Sequence, residues 1–161
     1  MYFRNTMSLT PTKINTFLFF KLPAAYFCGV RLKNINSEMC TTSVKHRWIN
    51  QNPFGSMYFA VQAMAAELTT GALVLSQIKE SGKKISMLVA TQNGSYTKKA
   101  VGRITFTCHD GEKVKQALKE TLLSGEGVTF KMTSTGIDEE GEIVSVMEFE
   151  WRVKAKKEPI S

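Results

Sequence analysis

From Met57 to Leu75 the chain runs for 19 residues of which 14 are apolar or alanine, the exceptions being Gln62, Glu67, Thr69, Thr70 and Gly71. A surface helix shows a broad polar stripe, whereas a helix that is apolar nearly all the way round has to be buried. Whatever this chain folds into must therefore wrap a helix. The turn cluster Asn50-Gln-Asn-Pro-Phe-Gly55 opens it, and the wetter stretch with Lys79, Glu80 and Gly82 closes it, which puts the helix over about residues 54–79.

The flanking segments supply the wrapping. Val30–Ile35 and Met39–Trp48 read as strands joined by Asn36-Ser37-Glu38, whose residue types suit a hairpin turn. Lys84–Gln92 alternates Ile85, Met87 and Val89, and Ala100–His109 alternates Ile104, Phe106 and Cys108. Asp110 caps a second helix with Val114, Ala117, Leu118, Thr121 and Leu122 on one face, closed near Gly125. Val128, Phe130 and Met132 continue the alternation, and Met147, Phe149, Trp151 and Val153 resume it after the Asp138-Glu-Glu-Gly141 turn. Short connections fit antiparallel pairing, because parallel strands need long crossovers. With 161 residues and no repeat or linker, the expectation is one α+β domain over residues 1–161. An open sheet leaves edges, which a second copy commonly covers.

The N-terminus is greasy from Ile14 to Cys28, but Lys21 and Pro23 interrupt it well short of a membrane span. Thr10 suits a helix cap with Pro11 in the first turn, and Leu22 before Pro23 is a natural stop. This predicts a short amphipathic helix over 11–22 and a cytoplasmic protein, with Met7 an alternative start. Cys28, Cys40 and Cys108 form no CxxC pair, and His46 and His109 lie in predicted strands outside any metal-ligand spacing. No disulfide framework, metal centre or cofactor is expected. Lys and Arg number 21 against 14 Asp and Glu, a net charge of +7, which suits nucleic acid, a membrane surface or a phosphorylated small molecule. No aromatic-basic interleaving marks a nucleic-acid module. The Lys154, Lys156 and Lys157 tail reads as solvated.

Glu67 is the only charged residue between Phe54 and Leu75. A carboxylate in a buried helix must be paired, protonated or facing a cavity. Desolvation raises its pKa, which prepares it for general-base work. The small neighbours Ala60, Ala63 and Gly71 leave either a close-packed backbone or room for a ligand. The alternative is a polar edge with Thr70 that meets an Arg or Lys from a strand.

The segment Asn52-Pro-Phe-Gly55-Ser-Met-Tyr58-Phe59 through Glu67 resembles the signature of the hotdog-fold acyl-CoA thioesterases. Asn52, Gly55 and Glu67 fall at its 0, +3 and +15 positions, while Tyr58 and Phe59 replace the His-Gly pair at +6 and +7. The Asn-Pro-Phe-Gly-Ser-Met-Tyr and Ala-Ala-Glu-Leu-Thr-Thr-Gly runs are similar to a mostly bacterial thioesterase-like branch, a domain of unknown function. The resemblance implies a hotdog fold over about residues 28–154, an antiparallel sheet around a central helix, and self-association to a homodimer or tetramer. It implies an acyl-CoA or related thioester substrate and no cofactor. Glu67 would serve as base or nucleophile, the Phe59 backbone amide as oxyanion donor, Asn52 as positioner of water or carbonyl, Gly55 as turn residue and Tyr58 as proton donor or orienter. Lys98, Lys99 and Arg103 would meet the phosphates of coenzyme A. Met57, Met64, Phe59 and Phe106 either line an acyl pocket or fill the core. Because Tyr58 and Phe59 depart from the pattern, the alternative is a non-catalytic module that binds acyl-CoA or fatty acyl groups as sensor or carrier.

Overall fold

The computed structural model describes residues 9–156; Met7 and Lys157 lie outside the described residues. In chain order the elements are α1 (Pro11–Lys21), α2 (Pro23–Phe27), β1 (Arg31–Ile35), β2 (Cys40–Lys45), a 3-10 turn (Trp48–Asn50), α3 (Phe59–Ser81), β3 (Ile85–Tyr96), β4 (Arg103–Cys108), α4 (Gly111–Ser124), β5 (Val128–Ile137) and β6 (Ile143–Ala155). The strands form one sheet in the order β1-β2-β4-β5-β6-β3, with every pair antiparallel.

The sheet curls around α3, which touches all six strands and buries Val61, Ala65, Ala66, Leu68, Ala72, Leu73, Val74 and Ile78. Its buried polar groups are matched from the sheet. The Thr42 hydroxyl donates to the Ala65 carbonyl at 2.8 Å, the Ser145 hydroxyl donates to Gln62 Oε1 at 2.9 Å, and the Thr69 and Ser134 hydroxyls meet at 2.9 Å. Each of these contacts spares a desolvation cost of about 1–3 kcal/mol that an unpaired group would carry. Phe106 fills the curl because Gly136 has no side chain, as a Cβ there would stand 2.4 Å from the Phe106 ring. Of the described helices, α3 is the one long and apolar enough to cross a membrane, and 67% of its most apolar window is buried against the sheet.

Several boundaries differ from expectation. The central helix starts at Phe59 rather than near residue 54 and continues to Ser81, where Gly82 takes a left-handed φ of 64° and ends it. The Met39–Trp48 strand stops at Lys45, because Asn50 is buried and pulls the chain into a turn. Its side chain accepts from the Arg47 N–H and donates to the carbonyls of Cys28 and Lys45. The histidines consequently lie just beyond strand ends. His46 Nε2 is buried with no hydrogen-bond partner among the described residues, and His109 is exposed. Pro23 begins the short helix α2 instead of simply ending α1. Leu122 stands 40% exposed, off the buried face of α4 formed by Val114, Ala117, Leu118 and Thr121. The third strand extends to Tyr96 and is largely exposed, with one edge open, because it ends the sheet. Cys40 and Cys108 sit opposite one another on β2 and β4 as free, buried thiols, and burial pushes Cys108 up to about 12.

Candidate active site

The approach to α3 is a turn built by one side chain. Asn52 Oδ1 accepts from the backbone N–H of Phe54 at 2.9 Å and of Ser56 at 3.2 Å, while its Nδ2 donates to Ser56 Oγ at 3.0 Å and the Met57 carbonyl at 3.3 Å. Gly55 takes a φ of 74°, which a side chain would resist. Backbone bonds from Met57 N to the Ala100 carbonyl and from Tyr58 N to the Asn50 carbonyl, both 2.8 Å, then fix Tyr58 as the helix cap. Phe59 is the first helical residue, so its N–H belongs to the turn that has no acceptor within the helix. The positive end of the helix dipole lies there as well.

Tyr58 and Phe59 both project outward. Their rings lie 4.9 Å apart edge to face, and Tyr96 from β3 stands 6.2 Å from Phe59. With Asn52, Gln62, Lys98 and Lys99 they line a hollow of about 480 Å³. Lys99 Nζ donates to the Phe54 carbonyl at 3.1 Å. Lys98 is held by three carboxylates of the β5–β6 turn: Asp138 at 2.7 Å, Glu140 at 3.2 Å, and Glu142. Hydrogen bonds to Asp138 and Glu142 hold its ammonium well above the usual lysine range, and the reciprocal bond holds Asp138 below the usual carboxylate range. Asp138, Glu140 and Glu142 also have the spacing of a cation cluster, and the Lys98 ammonium already bonds all three. Arg103 lies outside this hollow, where its guanidinium reaches Ser43 Oγ at 3.5 Å and its backbone N–H meets Glu139.

Glu67 belongs to a different hollow. Eight residues separate it from Phe59, about 12 Å along the helix axis. It lines a mostly apolar cavity of about 670 Å³ between α1 and α3, walled by Ile14, Phe17, Leu22, Leu68, Gly71 and Met87 and bordered by the charged Lys13, Lys79 and Glu80. Burial raises its pKa above the usual carboxylate value, and among the described residues it forms no ion pair. The alternative, a polar edge of Glu67 and Thr70 meeting an Arg or Lys, is not formed among the described residues: the Thr70 hydroxyl donates to the Glu67 backbone carbonyl at 2.9 Å and accepts from the Trp151 indole at 2.9 Å. Gly71 provides both close packing and space. A Cβ there would come within 3.0 Å of Glu67 Oε1 and 3.2 Å of the Trp151 ring.

The structure thus gathers Asn52, Tyr58, Phe59, Lys98 and Lys99 around one hollow and sets Glu67 in another. Met57 and Phe106 are fully buried in the core, whereas Met64 is half-buried. The α1 wall of the Glu67 cavity and the Trp151–Thr70 contact escape sequence reading. Trp151 was legible only as an inward strand position, and no spacing signal links α1 to α3.

The architecture is a hotdog fold, and solved structures of that kind align over nearly the whole chain. A Pseudomonas aeruginosa protein of unknown function, described as a probable thioesterase, is 21% identical with a TM-score of 0.76, covering 92% of this chain and 99% of its own. A Chlorobaculum tepidum protein of unknown function is 16% identical with a TM-score of 0.77, covering 92% and 99%. A Haemophilus influenzae thioesterase is 12% identical with a TM-score of 0.70, covering 97% and 98%. No curated protein matches the chain. The chain belongs to the family described as domain of unknown function DUF4442, whose model matches residues 13–153.

Proposed function

We propose that this chain is a thioesterase, hydrolysing an acyl-CoA or related thioester to the free acid and CoA. The observation that carries this reading is Glu67: a carboxyl group without an ion-pair partner among the described residues, its pKa raised by burial, on the wall of a mostly apolar cavity of about 670 Å³. Such a group is a stronger base than an exposed carboxylate, and the cavity has the size range of small-ligand sites.

In this reading Glu67 accepts the proton of a water molecule whose oxygen attacks the thioester carbon. The oxyanion that forms is held by a helix-start N–H, that of Phe59. Collapse breaks the C–S bond, and Glu67 returns the proton to the departing thiolate. Asn52 serves by holding the turn that aims the Phe59 amide, and Gly55 by permitting it. Lys99 faces the same hollow and is the cation we assign to a CoA phosphate. Glu67 and Phe59 of one chain stand about 12 Å apart along the axis, too far to act on one carbonyl. The donor for each Glu67 therefore comes from a second copy, and the long open edge of β3 is the surface we assign to that pairing.

A second reading is favoured by Phe59, which is 54% exposed and packed between Tyr58 and Tyr96 where the thioesterase signature has glycine. Crowding of the carbonyl there would leave a module that binds acyl-CoA without cleaving it. Thiol release from short-, medium- and long-chain acyl-CoAs, with wild type and Glu67→Gln side by side, separates the two. Turnover that falls by about 10²–10⁴ in the variant is expected. Equal release by both proteins would sink the role of Glu67, and tight binding without release would establish the binder.

A further inference from the structure

The net charge of +7 is not spread along the chain. Residues 1–66 hold seven Lys and Arg against a single acidic residue, Glu38, whereas residues 67–161 hold 14 against 13. The part of the chain that forms α1, α2, β1, β2 and the 3-10 turn carries Lys13, Lys21, Arg31, Lys33, Lys45 and Arg47 against Glu38, a net of five of the seven excess positive charges.

That same part displays seven exposed large apolar side chains: Phe17, Phe19, Phe20, Leu22, Phe27, Trp48 and Ile49. Helix α1 turns Ile14 and Leu18 into the core and leaves Phe19 and Phe20 outside, followed directly by Lys21. Phe19 packs edge to face on Phe20 and Tyr26, and Tyr26 packs on Phe27, which makes one aromatic cluster across the two helices. Arg31 stacks over Tyr26 with its guanidinium carbon 3.7 Å from the ring centroid. The 3-10 turn is tied to the end of α2 by the bond from Asn50 Nδ2 to the Cys28 carbonyl, and it carries Trp48 and Ile49 outward. Trp48 is 83% exposed, Phe20 70% and Phe27 58%.

Aromatic side chains set among Lys and Arg are the composition of a surface that lies on a bilayer: rings enter the headgroup boundary while the cations meet lipid phosphates. We propose that α1, α2 and the 3-10 turn form a docking face for an anionic membrane. Charge argues for this occupant over a second copy, because two such faces brought together would each carry the same strong positive excess. The proposal does not depend on Glu67 chemistry, although α1 also walls the Glu67 cavity through Phe17 and Leu22.

Co-sedimentation of the full chain with phosphatidylcholine vesicles, with or without about 30% phosphatidylglycerol, tests it. Partitioning should be at least about tenfold stronger on the anionic vesicles and should fade at about 0.5 M NaCl. A triple variant, Phe20→Ser, Phe27→Ser and Trp48→Ser, should lose about tenfold in partitioning, as should Lys21→Glu with Lys33→Glu, both with an unchanged far-UV spectrum and melting temperature. Equal partitioning onto both vesicle types, or serine variants that bind like wild type, would overturn the proposal. So would a triple variant of lower mass in sedimentation velocity, since the face would then be an interface between copies.

Discussion

The two hollows beside α3 differ in what their charged groups face. At the start of the helix, Asn52 gives its hydrogen-bonding capacity to its own loop, and Lys98 is surrounded by three carboxylates. Midway along, Glu67 has no ion-pair partner among the described residues and lines a mostly apolar cavity that Lys13, Lys79 and Glu80 also border. One hollow is made rigid by polar groups that bond one another, and the other holds a carboxyl group with no ion-pair partner among the described residues. The difference is one of pairing: polar residues that answer one another hold shape, and a carboxyl group buried without a counter-charge has its pKa raised.

The strongest way to break this contrast is to fill the cavity. Gly71→Leu should cost about 1–3 kcal/mol in denaturant unfolding through collision with Trp151, and it should abolish acyl-CoA turnover whatever the chain length. A variant that keeps full activity would show that substrate does not enter beside Glu67. Disturbing the other hollow comes next. Asn52→Ala removes the bonds that shape the turn and should cost about 1–2 kcal/mol, with turnover falling and the Glu67 cavity intact by crystallography. If turnover were unaffected, the helix-start hollow would be framework alone.

The smallest effect lies in the pH dependence of stability. Because burial raises the pKa of Glu67 in the folded state, folding disfavours its ionised form. No penalty exists at pH below the ordinary carboxylate value. Stability then declines as pH rises from that value through the raised folded one, and stays lowered above it. Glu67→Gln cannot ionise, so its melting temperature should exceed that of wild type by a few degrees above this window and converge with it below. Parallel melting curves across the whole range would show that the carboxyl group is solvated after all.

Much of this was legible from pattern. The run from Met57 to Leu75 demanded burial because no polar stripe interrupts it, and β5 and β6 alternate cleanly because one face of each packs on α3. Glu67 stood out as the one charge in that run. What remained hidden depends on contacts distant in sequence. The true start of α3 is set by the Asn50 and Asn52 networks, whose residues look from the chain alone like any turn cluster. Lys98 appears among cations at positions 98, 99 and 103, yet its partners lie 40–44 residues away. The signature spacing from Asn52 to Glu67 counts residues along one chain, and nothing in that count reveals two separate hollows.

The two tryptophans divide the molecule in the same way. Trp48 is open to water on the aromatic, basic face, whereas Trp151 is sealed against Gly71, beside Glu67, with its indole N–H bonded to Thr70. The chain therefore carries two built-in optical probes with different surroundings. The first emits toward the red and is open to aqueous quenchers; the second emits toward the blue and is shielded from them. Contact with a lipid surface and occupation of the interior would each alter a different component of the intrinsic fluorescence, without any label.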